Sequence, residues 1–534
     1  MCGIHVTIST AKTCKASSVL ETRLRNRGPD HLATITTRLD DTEAVELTFT
    51  SSVLGLRGDH TAQQPLVNDT TGSVLCWNGE AWKIYGRAIT GNDGEQVQAL
   101  LSTAGRRASS DECRSVVEVL RAIAGPFAFV YFDKTAKCLY YGRDRLGRRS
   151  LLVKPGDPFV LSSIADHDTH ASVWSEVEAD GIYVLCLHDA STTPLRLIPT
   201  KHDWAKDESL MLGIGCFNSS VPFESNFLTR QSRVVRDLRD HLTESLRWRL
   251  LQVPAPPGAS VKDARIAILF SGGLDCTVLA RLASDLLPNE QTIDLLNVAF
   301  ENPRIAAQNK AVSRDDLYEQ CPDRITGRKS FTELLQINVP FTDTSEHRSE
   351  VIELMYPHNT EMDLSISFAL YFAARGQGLG QIGMGSQPEP YQTTARVLLS
   401  GLGADELFGG YVRHATAFGR QSYQGLIEEL KLDVSRLGKR NLGRDDRVMA
   451  NWKKEVRFPY LDEEFVKWAM ALPVSEKCNF SDGQISGSKQ VLRLLADDLG
   501  MPAVAQEPKR AIQFGTRTAK MESGKVKGTT FIKP

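Results

Sequence analysis

The chain reads as two domains of different class, an α+β half of stacked β-sheets with helices followed by an α/β half built on a parallel sheet. Three observations predict this. A chain of 534 residues is too long for one hydrophobic core. Through residue 194, short apolar runs recur between turn signals, the pattern of packed sheets. From Arg233 the pattern turns helical and then alternates strand, helix, strand, which marks parallel pairing.

In the first half the runs are Val45–Phe49, Val74–Trp77, Phe127–Phe132, Leu139–Tyr141 and Tyr183–Leu185. Residues 195–229 show no clear period and hold Pro, Gly and Asn218-Ser219-Ser220, so a linker is expected there. Leu238, Leu242, Leu246 and Leu250 fall four apart and predict a helix. Arg233, Arg236, Arg239, Arg247 and Arg249 read as its solvated face rather than as a nucleic-acid site. Arg265–Phe270 is an apolar run too short for a helix, 275–287 is helical, and 293–300 is a second apolar run. The second domain is expected over 230–520, and the C-terminal third of the chain reads as mostly helical. Residues 521–534 are expected to be a flexible Lys/Gly-rich tail.

Bulk properties exclude several classes. Lys and Arg number 63 against 65 Asp and Glu, which gives no charge argument for nucleic acid or membrane partners. The ten cysteines are scattered without CxxC or zinc spacing, so neither a disulfide framework nor a structural metal is expected. No signal peptide is evident, and no apolar run approaches the roughly 20 residues that span a bilayer. A cytoplasmic location is the expectation.

Two motifs carry chemistry. Cys2 lies in Met1-Cys2-Gly3-Ile4, and removal of Met1 would place its thiol beside its own α-amine, nucleophile and base in one residue. An ordinary cysteine opening a strand is the alternative. Ser271-Gly272-Gly273-Leu274-Asp275 sits between the first strand and first helix of the parallel pattern. Its glycines would let an anion reach backbone N–H groups at a helix N-terminus, where the dipole favours negative charge. Asp275 would help hold Mg²⁺ on the phosphates. No Walker A sequence is present.

Ser271–Asp275 resembles the PP-loop of ATP pyrophosphatases. Leu398-Leu399-Ser400-Gly401-Leu402-Gly403-Ala404-Asp405-Glu406-Leu407-Phe408-Gly409-Gly410-Tyr411 looks like the second signature of asparagine synthetases. Arg457–Asp462 and Ser488–Arg493 are similar to later blocks of that family, in its order. Met1–Ile4, Arg27-Gly28-Pro29-Asp30, Trp77-Asn78-Gly79-Glu80 and Gly142–Gly147 resemble the blocks of a class II glutamine amidotransferase. The resemblance implies an Ntn-type amidotransferase of stacked β-sheets over 2–194 and a PP-loop synthetase domain, adenine nucleotide α-hydrolase-like, over 230–520.

The implied activity is that of asparagine synthase (glutamine-hydrolysing), a glutamine-dependent amide ligase. Cys2 would release ammonia from glutamine, with the Asn78 side chain and the Gly79 N–H as oxyanion hole. Arg57, Asn78, Glu80 and Asp93 would bind glutamine. Leu269, Ser271, Gly272, Gly273, Asp275, Val298, Ser400 and Gly401 would hold ATP, with Asp275 and Asp405 on Mg²⁺. Lys489 would stabilise charge on the transferring phosphate, and aspartate would be the acceptor. The implied partners are these small molecules, and a homodimer is left open.

Some residues depart from the family. The family has Glu where this chain has Leu402, and a leucine cannot accept a proton from the attacking amine. Cys276 replaces the usual Ser, Gly147-Arg148-Arg149-Ser150-Leu151 replaces G-x-K-P-L, and Arg143-Asp144 reads as a structural ion pair. Asp323–Arg328 looks closer to the divergent asparagine synthetase domain-containing proteins of eukaryotes. A ligase for another carboxylate and a non-catalytic nucleotide-binding regulatory protein are therefore the alternatives.

Overall fold

The apolar runs of the first half become strands covered on both faces. The computed structural model describes residues 2–10, 14–39, 45–104, 112–166, 173–187, 197–222, 228–256, 258–260, 263–331, 333–381, 387–439, 441–480, 487–521 and 526–532. One six-stranded antiparallel sheet runs Ser175–Glu176, Leu152–Lys154, Phe159–Ser162, Gly3–Ser9, Glu46–Val53, His31–Arg38. The other runs Thr200–Asp203, Gly181–Cys186, Cys138–Arg143, Phe127–Asp133, Val74–Gly79, Leu66–Val67. Val130 and Phe132 pack with Ile4, Val6 and Phe49 of the facing sheet, while Phe129 and Tyr131 pack with Val97 and Leu101 of helix Asp93–Ala104. Successive residues of a strand point to opposite faces, so a strand with two covered faces shows no polar alternation. Gly3–Ser9 is clamped between Phe159–Ser162 and Glu46–Val53, and Cys2 immediately precedes it.

The second half forms a seven-stranded sheet in the order Glu389–Gln392, Gln377–Gly380, Leu335–Val339, Ile293–Phe300, Ile266–Leu269, Val397–Leu399, Glu455–Arg457. Its last five strands are parallel. From Ile266–Leu269 the chain passes through helix Leu274–Leu286 to Ile293–Phe300 on one side, and later returns to add Val397–Leu399 on the other. Such a reversal of strand order opens a crevice at the carboxyl ends of the strands. The loops 270–273 and 400–403 leave the sheet on the two sides of that point.

Two compact units result: Met1–Gly213 with Leu437–Lys453, and Ile214–Arg436 with Lys454–Pro534. Three features differ from the expected domain pattern. The segment read as linker carries strand Thr200–Asp203, paired with Gly181–Cys186. In the segment read as a tail, the Ile532 N–H donates to Asn359, the Thr530 carbonyl accepts from Glu361, and Phe531 bridges Thr360. Backbone pairing of this kind depends on no side chain, so composition does not announce it. Leu437–Lys453 belongs to the first unit although it lies between two synthetase-like blocks. Its helix Leu442–Ala450 buries Arg444, Asp445, Asp446 and Arg447.

Helix Arg233–Leu250 buries its four leucines and exposes Arg233, Arg236, Arg239 and Arg247, as its period predicts. Arg249 is the exception. It is buried, donating to the Ser245 carbonyl at 2.8 Å and to Asp462 at 3.0 Å. No helix among the described residues is long and apolar enough to cross a membrane.

Candidate functional site

In the first unit, Cys2 is buried at the head of its strand. Gln64 points its Nε2 at the thiol, 3.9 Å away, while its Oε1 accepts from the Trp77 N–H at 2.8 Å. Gln64 thus ties Cys2 to the strand Val74–Gly79, whose last residues are Asn78 and Gly79. Neither is a hairpin turn: Asn78 pairs with Ala128 and Gly79 with Phe127. A Cβ at Gly79 would run into the Pro126 carbonyl oxygen and Phe127 Cα. The Asn78 side chain is fully buried, yet neither its Nδ2 nor its Oδ1 has a hydrogen-bond partner among the described residues. A buried amide left this way costs stability, and each such group in a native fold calls for a partner or a catalytic role.

The residues expected to clamp glutamine gather at the end of the same strand. Asp93 Oδ2 accepts from the Ala81 N–H at 2.7 Å and from Trp77 Nε1 at 3.1 Å. Burial raises its pKa above the usual carboxylate range, against the pull of Arg57. Arg57 donates to Glu80 Oε2 at 3.3 Å and to the carbonyls of Ile89 and Gly91, with its guanidinium 5.4 Å above the Trp82 ring. Those bonds use three of the five guanidinium N–H groups. Burial lowers the His5 pKa to about 4, so its imidazole is neutral near pH 7 but only a weak base. Arg143 and Asp144 are structural but do not pair with each other. Arg143 holds Glu176 at 3.1 Å, and Asp144 holds Arg148 at 2.9 Å. Sequence reasoning missed Gln64, which sits in no motif, and assigned no role to Arg27, whose Nε donates to the Cys2 carbonyl at 3.1 Å.

In the second unit, Ser271, Gly272 and Gly273 form the turn between strand Ile266–Leu269 and helix Leu274–Leu286. Gly272 has φ +75°, and a Cβ there would strike the backbone of Thr326 and Gly327. Across the switch point, Gly401 lies so near that an added Cβ would sit 3.0 Å from the Asp275 Cβ. Lys489 Nζ bridges Asp275 Oδ2 at 2.6 Å and Asp405 Oδ1 at 2.7 Å. Lys489 also adopts φ +52°, a left-handed backbone that a non-glycine residue holds only when its surroundings impose it. A Cβ on Gly410 would collide with Asp405 and Lys489 Cε. Burial and repulsion from Asp405 raise the Asp275 carboxyl against the opposing pull of Lys489. Lys489 and Lys509 hold Asp405 low against its own burial, and the two aspartates hold the Lys489 ammonium above its usual value against burial.

Leu269 pairs with Leu296 and Val298 with Ile337, on adjacent strands at the same edge. The Leu402 N–H donates to Ser400 Oγ at 3.3 Å. Cys276 donates to the Gly273 carbonyl at 3.3 Å and lies 3.5 Å from Ser271 Oγ, with its thiol raised by burial. Sequence reasoning gave Glu406 no role. It is buried, accepts from the Tyr411 hydroxyl at 2.5 Å, and leaves its Oε2 without a partner.

Asp275 and Asp405 fit a Mg²⁺ ion shared with phosphates. They are hard oxygen donors, and such an ion takes one or two carboxylates and completes its shell with phosphate and water. No group of three or more potential ligands exists among the described residues, so the site does not fit an all-protein metal centre.

Comparison with known proteins agrees with both halves. The glutamine amidotransferase domain family matches residues 1–200, and the asparagine synthase family matches 391–429 and 419–530. Fold and sites define a glutamine amidotransferase domain joined to an asparagine synthase domain. The chain is 32% identical to asparagine synthetase domain-containing protein 1 of Gallus gallus, over 99% of this chain and 98% of that protein. Another asparagine synthetase domain-containing protein, from Saccharomyces cerevisiae, is 32% identical over 95% of this chain and 90% of its own length. The asparagine synthetase [glutamine-hydrolyzing] of Brassica oleracea is 24% identical over 94% of this chain and 75% of its own. The chain belongs to the asparagine synthetase domain-containing protein family.

Proposed function

We propose that this protein hydrolyses glutamine at Cys2 and delivers the ammonia to a carboxylate adenylated in the second unit, giving an amide, AMP and pyrophosphate. The observation that carries the reading is the buried, unpartnered Asn78 amide beside Gly79, on the strand that Gln64 ties to the Cys2 thiol. Cys2 Sγ attacks the side-chain carboxamide carbon, and the Cys2 α-amine takes the thiol proton and passes it to the departing ammonia. Asn78 Nδ2 and the Gly79 N–H receive the oxyanion. Arg57 faces the glutamine carboxylate with its remaining N–H groups, and Asp93 Oδ1 faces the ammonium. Water then releases glutamate from the thioester.

In the second unit, the Ser271–Gly273 turn and the start of its helix receive the phosphates. Asp275 and Asp405 would hold Mg²⁺, which supplies positive charge against the phosphate oxygens. Lys489 carries a permanent ammonium to the leaving pyrophosphate. Leu269, Val298, Ser400 and Gly401 flank the adenosine, and aspartate is the first acceptor to test. The experiment is glutamate and pyrophosphate release from protein whose N-terminus is Cys2 by mass, given glutamine, MgATP and aspartate. Neither product would remove the reading.

A second reading changes only the acceptor. Leu402 lacks the proton-accepting group that an aspartate-specific site has, and its apolar side chain favours a less polar acid. Pyrophosphate release that needs such an acid, with aspartate inert, supports it. Asparagine formation by Leu402→Glu, absent in the wild type, would instead show that this one position blocks aspartate.

A further inference from the structure

We propose that Asp446, 444 positions beyond the nucleophile in sequence, is a positioning residue for Cys2. The inference rests on the reading of Cys2 as the glutamine-splitting thiol. Asp446 stands on helix Leu442–Ala450 of the segment that the synthetase half of the sequence lends to the first unit. Its Oδ2 accepts from Arg27 Nη2 at 2.7 Å and from the Ser150 N–H at 3.2 Å. The same guanidinium donates through Nε to the Cys2 carbonyl at 3.1 Å. Asp446 and Arg27 are both fully buried, so their pairing acts without solvent screening.

A second route runs beside the first. Arg447 Nη1 donates to Ser150 Oγ at 2.9 Å, Ser150 Oγ donates to the Ser163 carbonyl at 2.8 Å, and Ser163 Oγ accepts from the Ile4 N–H at 3.0 Å. One helix therefore fixes the carbonyl of Cys2 and, through two serines, the N–H two residues on. Held at both points, the first peptide units cannot rotate independently, and the direction of the thiol and of the α-amine beside it follows. A buried ion pair is a poor device for stability alone, since an apolar pair of equal volume does as well or better. A device that must aim one backbone carbonyl needs the fork of an arginine and a fixed anion behind it.

The test compares wild type, Cys2→Ala, Asp446→Asn, Arg27→Met and the double variant, all in the full chain with Cys2 as N-terminus by mass. Glutamate release gives kcat and KM, and an alkylating glutamine analogue counts the thiols that remain competent. For Asp446→Asn the expected result is a fall in kcat per titrated thiol of about 10- to 100-fold, the size of a misaimed reacting group. KM should be unchanged, because Arg57 and Asp93 are untouched. The double variant should be no worse than the poorer single one, since both break one relay. A kcat per titrated thiol equal to wild type, or losses that add in full, would overturn the proposal. If Asp446→Asn is insoluble, Arg27→Lys serves: it keeps the charge but cannot fork, and the same kcat loss at constant KM is expected. Glutamate release that survives Cys2→Ala, or is absent from wild type, overturns the amidotransferase reading itself and this inference with it.

Discussion

Asn78 is the residue on which the first site turns. Its amide is buried in a strand with no partner on either atom, so its removal should separate function from stability. Asn78→Leu is expected to lower kcat for glutamine hydrolysis by about 10²–10³-fold, the usual worth of one oxyanion donor. Its melting temperature should not fall, because an unpaired polar group leaves the core. Glutamate release and a thermal melt on one preparation check both halves. Lys489 is the counterpart in the second site. Lys489→Met leaves the partly exposed Asp275 and Asp405 facing each other with no cation between them, which should cost less than the roughly 3–5 kcal/mol of a fully buried pair. Millimolar Mg²⁺ should return part of that loss in the variant, seen as a rise in melting temperature larger than in wild type. An equal Mg²⁺ response in both would mean that the two carboxylates do not share a cation site.

At the scale of elements, helix Pro322–Ser330 bears a charge that the fold tolerates poorly. Burial raises the Asp323 pKa to about 7, with Arg510 too far, at 3.7 Å, to offset it fully. The folded pKa lies above the unfolded one, so the protonated carboxyl favours the fold. The stability it contributes is complete below about pH 4 and is lost as pH rises towards 7. Asp323→Asn should therefore match wild type near pH 4 and exceed it increasingly up to pH 7, by at most about 4 kcal/mol at roughly 1.4 kcal/mol per unit. A pH-independent difference in denaturation midpoint would refute the assignment. What the sequence disclosed divides along a physical line. Strands such as Phe127–Asp133 and helix Arg233–Leu250 were legible because burial imposes a period on neighbouring residues. The Ser271–Asp275 strand-to-helix turn was legible too, because its glycines act on a few consecutive residues, and Cys2 and Asn78 were drawn as candidates from equally short motifs. Gln64, Arg27 and Asp446 were not, because their meaning lies in partners far along the chain. The burial of Arg249 and the backbone pairing of 530–532 were hidden for the same reason.

For the whole molecule, the consequence is that the glutamine amidotransferase unit should not survive being cut out at the obvious boundary. A fragment ending at residue 213 holds both six-stranded sheets but lacks Leu437–Lys453. It loses the carboxylate that faces buried Arg27 and Arg149, and the guanidinium that Arg447 gives to Glu176 and Ser150. It also lacks the buried side chains of Leu442, Val448 and Met449. Loss of one partner from a buried pair costs about 3–5 kcal/mol, a large part of the roughly 5–15 kcal/mol that holds a domain folded. For about 200 residues this corresponds to a fall of roughly 10 °C in Tm. Fragment 1–213 should therefore melt well below the corresponding transition of the full chain and release little glutamate. Attaching residues 437–453 to the fragment through a flexible Gly/Ser linker should recover stability and activity together, since the helix then returns at high effective concentration. Protection of the Ile4 N–H from hydrogen exchange reports the same event on the strand that Cys2 precedes. It should be weak in the fragment and restored by the attached helix. A fragment as stable and as active as the full chain would show that the borrowed helix is dispensable, and that Cys2 is held by the first 213 residues alone.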